Sequence, residues 1–219
     1  MPSAANSTSS ERRLTRVVSP NPVYGDALAS FRSTGAGEGW PLRLPPTVTV
    51  PTLLVTGPVG VGKTSVAFEM LEVLGERGLA HAFFDVDGLT YFHPKPAGDP
   101  FGERFALNAL ETLFPSLQEQ GVDRLILARV LWERDSLSRY ERAIPGAEIT
   151  VVRLTAPLPV IQERIRGREI GAGLDWYLAR AAELDTHWRA NPVEDLLVET
   201  DQRSVRSLAE EILSSAGWI

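Results

Sequence analysis

The sequence predicts a three-layer α/β sandwich: five short parallel strands with helices on both faces. Three observations carry that expectation. From Pro51 onward, short apolar runs alternate with longer amphipathic stretches, the alternation of βαβ units around a parallel sheet. The first apolar run leads through a glycine-rich loop directly into a helical pattern. With 219 residues, 43% hydrophobic and 23% charged, the chain can bury one sizeable core, which excludes a fibre or a staple-dependent miniprotein.

Taken in order, residues 1–50 are rich in Ser, Pro, Gly and Thr and show neither strand nor helix periodicity, so they read as a flexible or loosely packed segment; Tyr24, Phe31 and Trp40 could pin a short helix there. Residues 51–219 form the domain. Its strands are expected at Thr52 to Thr56, His81 to Val86, Arg124 to Val130, Ile149 to Leu154 and Asp195 to Glu199. Helices are expected at Lys63 to Arg77, Phe101 to Leu113, Ser136 to Ala143, Leu158 to Arg168, Asp175 to Trp188 and Ser204 to Ser215. In the first of these, Val66, Met70, Val73 and Leu74 recur at helical spacing and make one apolar face. The rings Trp176, Tyr177 and Trp188 of the fifth read as packing.

Composition narrows the function. A net charge of −6 argues against broad binding to nucleic acid or to an anionic membrane. The absence of cysteine removes disulfides, thiolate nucleophiles and Cys-ligated zinc, and three scattered histidines (His81, His93, His187) make a poor zinc site. No stretch has the length of a membrane span and the N-terminus lacks an apolar signal core, so a soluble, cytoplasmic protein is expected.

The chemistry begins at Gly57-Pro58-Val59-Gly60-Val61-Gly62-Lys63-Thr64, which satisfies the Walker A pattern G-x-x-x-x-G-K-[ST]. Glycines let the backbone turn tightly, so that amides of Gly57, Val59, Gly60, Val61, Gly62, Lys63, Thr64 and Ser65 can face phosphate oxygens at a helix N-terminus. Lys63 adds a full positive charge, and the Thr64 hydroxyl is a hard ligand for Mg²⁺. The second strand ends in Asp85-Val86-Asp87-Gly88, and a period of two sends both carboxylates to one side. One can hold the metal and the other can accept or orient a hydroxyl proton, although Asp-Gly is also ordinary turn chemistry.

The P-loop, the strand ending in Asp-x-Asp and the later arginine-rich helix together resemble the P-loop small-molecule kinases, the group of shikimate kinase, gluconate kinase, adenylylsulfate kinase and chloramphenicol phosphotransferase. The resemblance covers roughly Pro51 to Ile219. It implies the nucleoside-monophosphate-kinase type of sheet, in the order 2-3-1-4-5, ATP and Mg²⁺ as cofactors, a hydroxylated small-molecule acceptor, and a mobile lid around 164–178. Lys63 and Asp87 would then be catalytic, Thr64 and Asp85 would hold the metal, and Arg164 or Arg168 would reach the transferring phosphoryl group, Arg164 also touching the nucleotide. A solvated Arg/Glu surface, with Glu163 or Glu169 as partners, is the other reading of those arginines. In the family the loop Thr200 to Arg203 passes beside the adenine; N-capping by Asp201 or Ser204 explains it equally.

The chain departs from the pattern at the end of the third strand. Where many P-loop enzymes carry a metal-supporting aspartate, it has Ala128-Arg129-Val130 and no carboxylate before Glu133. Asp85 or Glu133 would have to serve the metal, and Arg129 could contact substrate or phosphate. The acceptor pocket is expected between Asp87 and Trp132, among Tyr91, Phe92, His93, Phe101, Arg104, Phe105, Trp132 and Arg134, with Phe101 and Phe105 on one helix face. A kinase is the first reading; a nucleotide-dependent binding module without an acceptor is the alternative. GTPase switching is disfavoured, because Asn-Lys-x-Asp does not occur.

Overall fold

The computed structural model describes residues 49–169, 171 and 173–219. The loose segment expected over 1–50 lies outside them except at its end, where Val50 already belongs to the first strand. The elements run β1 (Val50–Thr56), α1 (Lys63–Glu76), β2 (Ala82–Asp85), α2 (Glu103–Glu119), β3 (Leu125–Ala128), α3 (Leu137–Ala143), β4 (Ala147–Thr155), α4 (Leu158–Arg168), α5 (Leu174–Ala190), β5 (Leu196–Glu199) and α6 (Val205–Ser215). The strands and helices expected over 51–219 are all present, with shifted ends.

The strands form one parallel sheet in the order β2-β3-β1-β4-β5. Its register pairs Leu53 of β1 with Ile126 of β3 on one side and with Thr150 of β4 on the other. Because β1 is central and the chain leaves it first toward β2 and later toward β4, its C-terminal end lies where the winding reverses, the place at which an open parallel sheet leaves a crevice.

Strand alternation divides the core. Leu53, Val55, Ile126, Ala128 and Val152 face α1, α4 and α6, meeting Met70, Ile161 and Ile212. Leu54, Leu125, Leu127 and Val151 face α2 and α3, meeting Leu110, Phe114 and Tyr140. The apolar face expected on α1 is buried as the spacing required. Helix α5 joins both sides, since Ala181 packs into the first cluster and Leu184 and Trp188 into the second. Trp188 Nε1 also donates to the Leu131 carbonyl at 3.0 Å, anchoring α5 to the loop after β3. Among the described residues no helix is long and apolar enough to cross a membrane.

Two boundaries matter for the site. Phe101 was expected inside the second helix but precedes it. Gly102 takes the left-handed conformation (φ 65°), and the Asp99 carboxylate accepts from the amides of Glu103 and Arg104 at 2.8 and 3.1 Å, so α2 starts at Glu103 and continues through Pro115 to Glu119. Strand β2 stops at Asp85; Asp87 is already α-region backbone and opens a 3₁₀ turn over Gly88–Thr90.

Candidate active site

The loop between β1 and α1 is shaped by two glycines at which any side chain would be strained. Gly57 has φ 145°, and a Cβ there would stand 2.5 Å from the Leu154 carbonyl oxygen; Gly60 has φ 85°, and its Cβ would stand 2.6 Å from Ile165 Cγ1. The loop is therefore seated against the end of β4 and against α4. Gly62 closes it as the α1 N-cap, with open space where its Cβ would be. The first bond of the helix runs from Val66 N–H to the Gly62 carbonyl at 2.9 Å, so the amides of Lys63, Thr64 and Ser65 precede the intrahelical ladder.

Lys63 curls over this loop, its Nζ donating to the carbonyls of Gly57 at 3.0 Å and Pro58 at 3.3 Å. Burial pulls its ammonium below the usual lysine range; the charges of Asp87 and Asp85 oppose that pull and the charge of Arg168 adds to it. Groups from three separate segments thus act on one ammonium. Val59 is half-buried, Val61 buried and Ser65 exposed.

From behind, the Val61 carbonyl accepts from Arg164 at 3.2 Å and from the Thr200 hydroxyl at 3.3 Å. Arg164 also donates to the Thr200 hydroxyl at 2.9 Å and to its carbonyl at 3.2 Å. Arg164 therefore ties the P-loop to the loop after β5, whereas Arg168, one helical turn on, is 58% exposed, pairs with Glu169 at 2.9 Å and projects its charge toward Lys63. The resemblance left open which of the two reaches the phosphoryl group and gave only Arg164 a nucleotide contact; the fold gives them different surroundings. Capping of α6 falls to Ser204, whose hydroxyl accepts from Ser207 N–H, while Thr200 is buried at the P-loop. Of the expected lid, Ile170 and Ala172 lie outside the described residues.

The two aspartates come to the same cleft by different routes. Thr64 Oγ1 donates to Asp85 Oδ2 at 3.0 Å, and Asp85 Oδ1 accepts from Gly88 N–H at 3.0 Å. A hydroxyl and a carboxylate oxygen thereby stand side by side, a hard-oxygen pair suited to Mg²⁺. The period-of-two argument stops at Asp85, because Asp87 is outside the strand. What aims Asp87 is Arg129: the guanidinium stands 3.2 Å from Asp87 Oδ1, with 6% of its side chain exposed against 41% for Asp87. It also donates to the Val86 and Phe101 carbonyls, each at 3.4 Å. So the residue in place of the third-strand carboxylate is a buried clamp, Glu133 is exposed, and the carboxylate that meets Thr64 is Asp85. No group of three or more His, Asp or Glu among the described residues could hold a metal by itself.

Part of the expected acceptor cluster assembles. Phe92 and Phe105 rings lie 4.5 Å apart, and Arg180 of α5 stands over Trp132 at 4.9 Å and over Phe101 at 5.6 Å. Trp132 stacks on His187 at 3.8 Å. Tyr91 is exposed, and its phenol is pushed above the usual range by desolvation first and then by the charges of Tyr177, Asp85 and Asp87, with Arg168 opposing. His93 is exposed. Two expected members go elsewhere. Arg134 is tied to the Val193 carbonyl at 2.8 Å and to Asp195 at 2.6 Å. Arg104 lines a separate groove of about 590 Å³ between α2 and α3, with Glu111 and Arg142, because the 104-107-108-111 stripe of α2 faces away from Phe105. Conversely, the expectations left out Arg180, took His187 only as one of three scattered histidines and read Trp176 as packing; the three share one face of α5, which was the available signal, and Trp176 is 52% exposed.

No protein-family model matches the chain, and no curated protein matches it in sequence. Solved structures do match. The tunicamycin resistance protein of Deinococcus radiodurans superposes with a TM-score of 0.56 at 21% identity, over 78% of this chain and 97% of its own. The APS kinase of Mycobacterium tuberculosis, solved with AMPPNP and APS, gives 0.53 at 22% identity, over 78% and 98%. A sugar kinase from Janibacter sp. HTCC2649 gives 0.51 at 20% identity, over 76% and 94%. The fold is that of the P-loop small-molecule kinases, with helices on both sides of a parallel sheet in the order 2-3-1-4-5.

Proposed function

We propose that this chain is an ATP-dependent phosphotransferase that moves the γ-phosphoryl group to a hydroxyl of a small molecule. The observation that carries the reading is the convergence, at the C-terminal end of the central strand, of Lys63, the Thr64–Asp85 pair and the arginine-held Asp87. A phosphate-binding loop alone suits any nucleotide-binding protein; a second carboxylate, partly exposed and clamped beside it, suits transfer to an acceptor.

The residues fit ATP and Mg²⁺. The open side of Gly62 and the first-turn amides of α1 form a cradle for phosphate oxygens, with Arg164 and Thr200 bracing its back. Thr64 and Asp85 are the metal-facing oxygens; two protein ligands suffice for Mg²⁺ only when phosphates complete the sphere, which is its ordinary mode in nucleotide enzymes. When bound, the magnesium nucleotide supplies the electrophilic γ-phosphorus.

Every other part belongs to the chain. Asp87 receives the acceptor's hydroxyl proton at a carboxylate oxygen, and Arg129 keeps that carboxylate aimed into the cleft. Lys63 leaves its loop carbonyls to face anionic oxygens, and Arg168 leaves Glu169 to stabilise the charge that grows during transfer. The segment from Arg168 into α5 acts as the lid that excludes water.

The test is incubation of the purified protein with ATP, Mg²⁺ and a metabolite and antibiotic panel, searched by mass spectrometry for the gain of about 80 Da that phosphoryl addition brings. Asp87→Asn should lower turnover by about a hundredfold or more while ATP affinity by calorimetry is kept. A Lys63→Ala protein that takes up ATP with the parent's heat, or Asp87→Asn with unchanged turnover, would overturn the reading.

A further inference from the structure

We propose that the phosphoryl acceptor is an uncharged molecule with a flat ring, stacked against an aromatic wall and offering its hydroxyl to Asp87. This inference rests on the phosphotransferase reading and names its substrate class.

The wall is built from Tyr91, Phe101, Phe105, Trp132 and Trp176, which are 86%, 56%, 48%, 36% and 52% exposed. Single exposed apolar side chains are commonplace; exposed aromatic ones linked through shared contacts mark a binding surface. Their contiguity is structural. Arg180 bridges the Trp132 and Phe101 rings, and Trp176, one turn earlier on α5, lies on the same helix face as Arg180. Phe105 touches Phe92, from the segment that also carries Tyr91. The wall also joins the reaction centre, because the guanidinium that clamps Asp87 also donates to the Phe101 carbonyl.

Charge decides the class. A carboxylated acceptor needs a guanidinium or ammonium free to meet it, and the cations along this wall are engaged. Arg180 is paired with Glu183 at 2.7 Å, and Arg129 with Asp87. Lys95 donates to the Thr90 carbonyl and lies over the Phe92 ring at 4.3 Å. Arg134 is held by Asp195, and Arg104 lines the groove against α3. Arg129 already balances Asp87, and Asp85 adds a further carboxylate beside it, so the cleft offers an anionic acceptor no unmatched positive charge. Aromatic faces, by contrast, bind flat rings whatever their polarity, whether a heteroaromatic base or the aryl group of a glycoside. In the transfer, the acceptor oxygen forms the new O–P bond, its proton passes to Asp87, and the bond from the γ-phosphorus to the β,γ-bridging oxygen breaks to leave ADP.

The test uses the full chain and four probes: uridine and phenyl β-D-glucoside as neutral ring compounds, gluconate and shikimate as carboxylates. Binding is read by saturation-transfer NMR and by quenching of tryptophan fluorescence, both without nucleotide, and ATP binding is measured separately by calorimetry. The expected result is saturation transfer to a ring of uridine or of the glucoside, which also tells a base from an aryl group, and little to the carboxylates. Trp132→Ala and Trp176→Ala should each weaken the neutral probe by about three- to tenfold, with the melting temperature and ATP affinity kept. Tighter binding of the carboxylates, no binding of either ring compound, or indifference to both ring deletions would overturn the inference. Loss of ATP binding would instead strike the phosphotransferase reading itself, so the two failures are told apart.

Discussion

Arg129 and Asp87 form an ion pair at 3.2 Å in which the arginine is buried and the carboxylate faces the cleft. The arginine occupies the strand end where many P-loop enzymes carry an acid, and it trades a metal-supporting charge for one that holds the proposed base. It also donates to two backbone carbonyls, of Val86 just past β2 and of Phe101 just before α2, so the chain's own backbone sets its position.

Arg129→Met should therefore lower kcat by about a hundredfold, as expected when a reacting group is misplaced by about 1 Å. The KM for ATP should change little, because Arg129 touches neither the P-loop nor Thr64. Steady-state kinetics with varied ATP, beside a thermal melt to verify folding, check this; a proportional rise in KM would contradict it.

Arg164 acts on the nucleotide side. Removing its bonds to Val61 and Thr200 by Arg164→Met should loosen the P-loop's brace and raise the Kd for ATP about tenfold, the equivalent of about 1.4 kcal/mol, or roughly one net hydrogen bond to a charged group passed on to the nucleotide site. Calorimetry on the two proteins measures it. Arg168→Met should lower kcat instead, with ATP binding less affected, and the contrast between the two variants tests their separate surroundings.

Gly57→Ala tests the loop as a packed object. The added methyl meets a backbone carbonyl at 2.5 Å with φ at 145°, so relief requires β4 or the loop to move. Strain of about 1–3 kcal/mol should lower the Tm by roughly 2–10 °C and weaken ATP binding together. Gly62→Ala has open space at the same atom and should act through its φ of 109° and its intrusion on the phosphate cradle.

Glu194 gives the acid limb of stability. Arg153, buried on β4, donates two bonds to it at 2.8 and 2.7 Å, and this guanidinium holds the carboxyl below the usual glutamate range. A depressed folded-state pKa means the pair's contribution is present above the ordinary glutamate range and is lost as pH falls through the lowered folded value. Glu194→Gln, which strands a buried arginine, should destabilise the neutral-pH protein by about 3 kcal/mol and flatten its acid dependence. Urea melts at neutral and acidic pH read both effects.

What the sequence determined by itself was local: the P-loop and its lysine, the strands and helices, and the apolar face of α1. These follow from short-range rules, since glycine spacing, strand alternation and helical period all operate within a few residues. The family resemblance added Thr64 and Asp85 as a pair, with Glu133 as the alternative to Asp85. Only the tertiary structure decided which charge faces which. That Arg129 clamps Asp87, that Arg164 braces the P-loop through Thr200 while Arg168 does not, and that Arg180 of α5 stands over Trp132 and Phe101 all depend on where the crossovers bring distant segments. Side-chain partners across such segments are chosen by register and packing, and one turn of helix or one residue of strand is enough to exchange them.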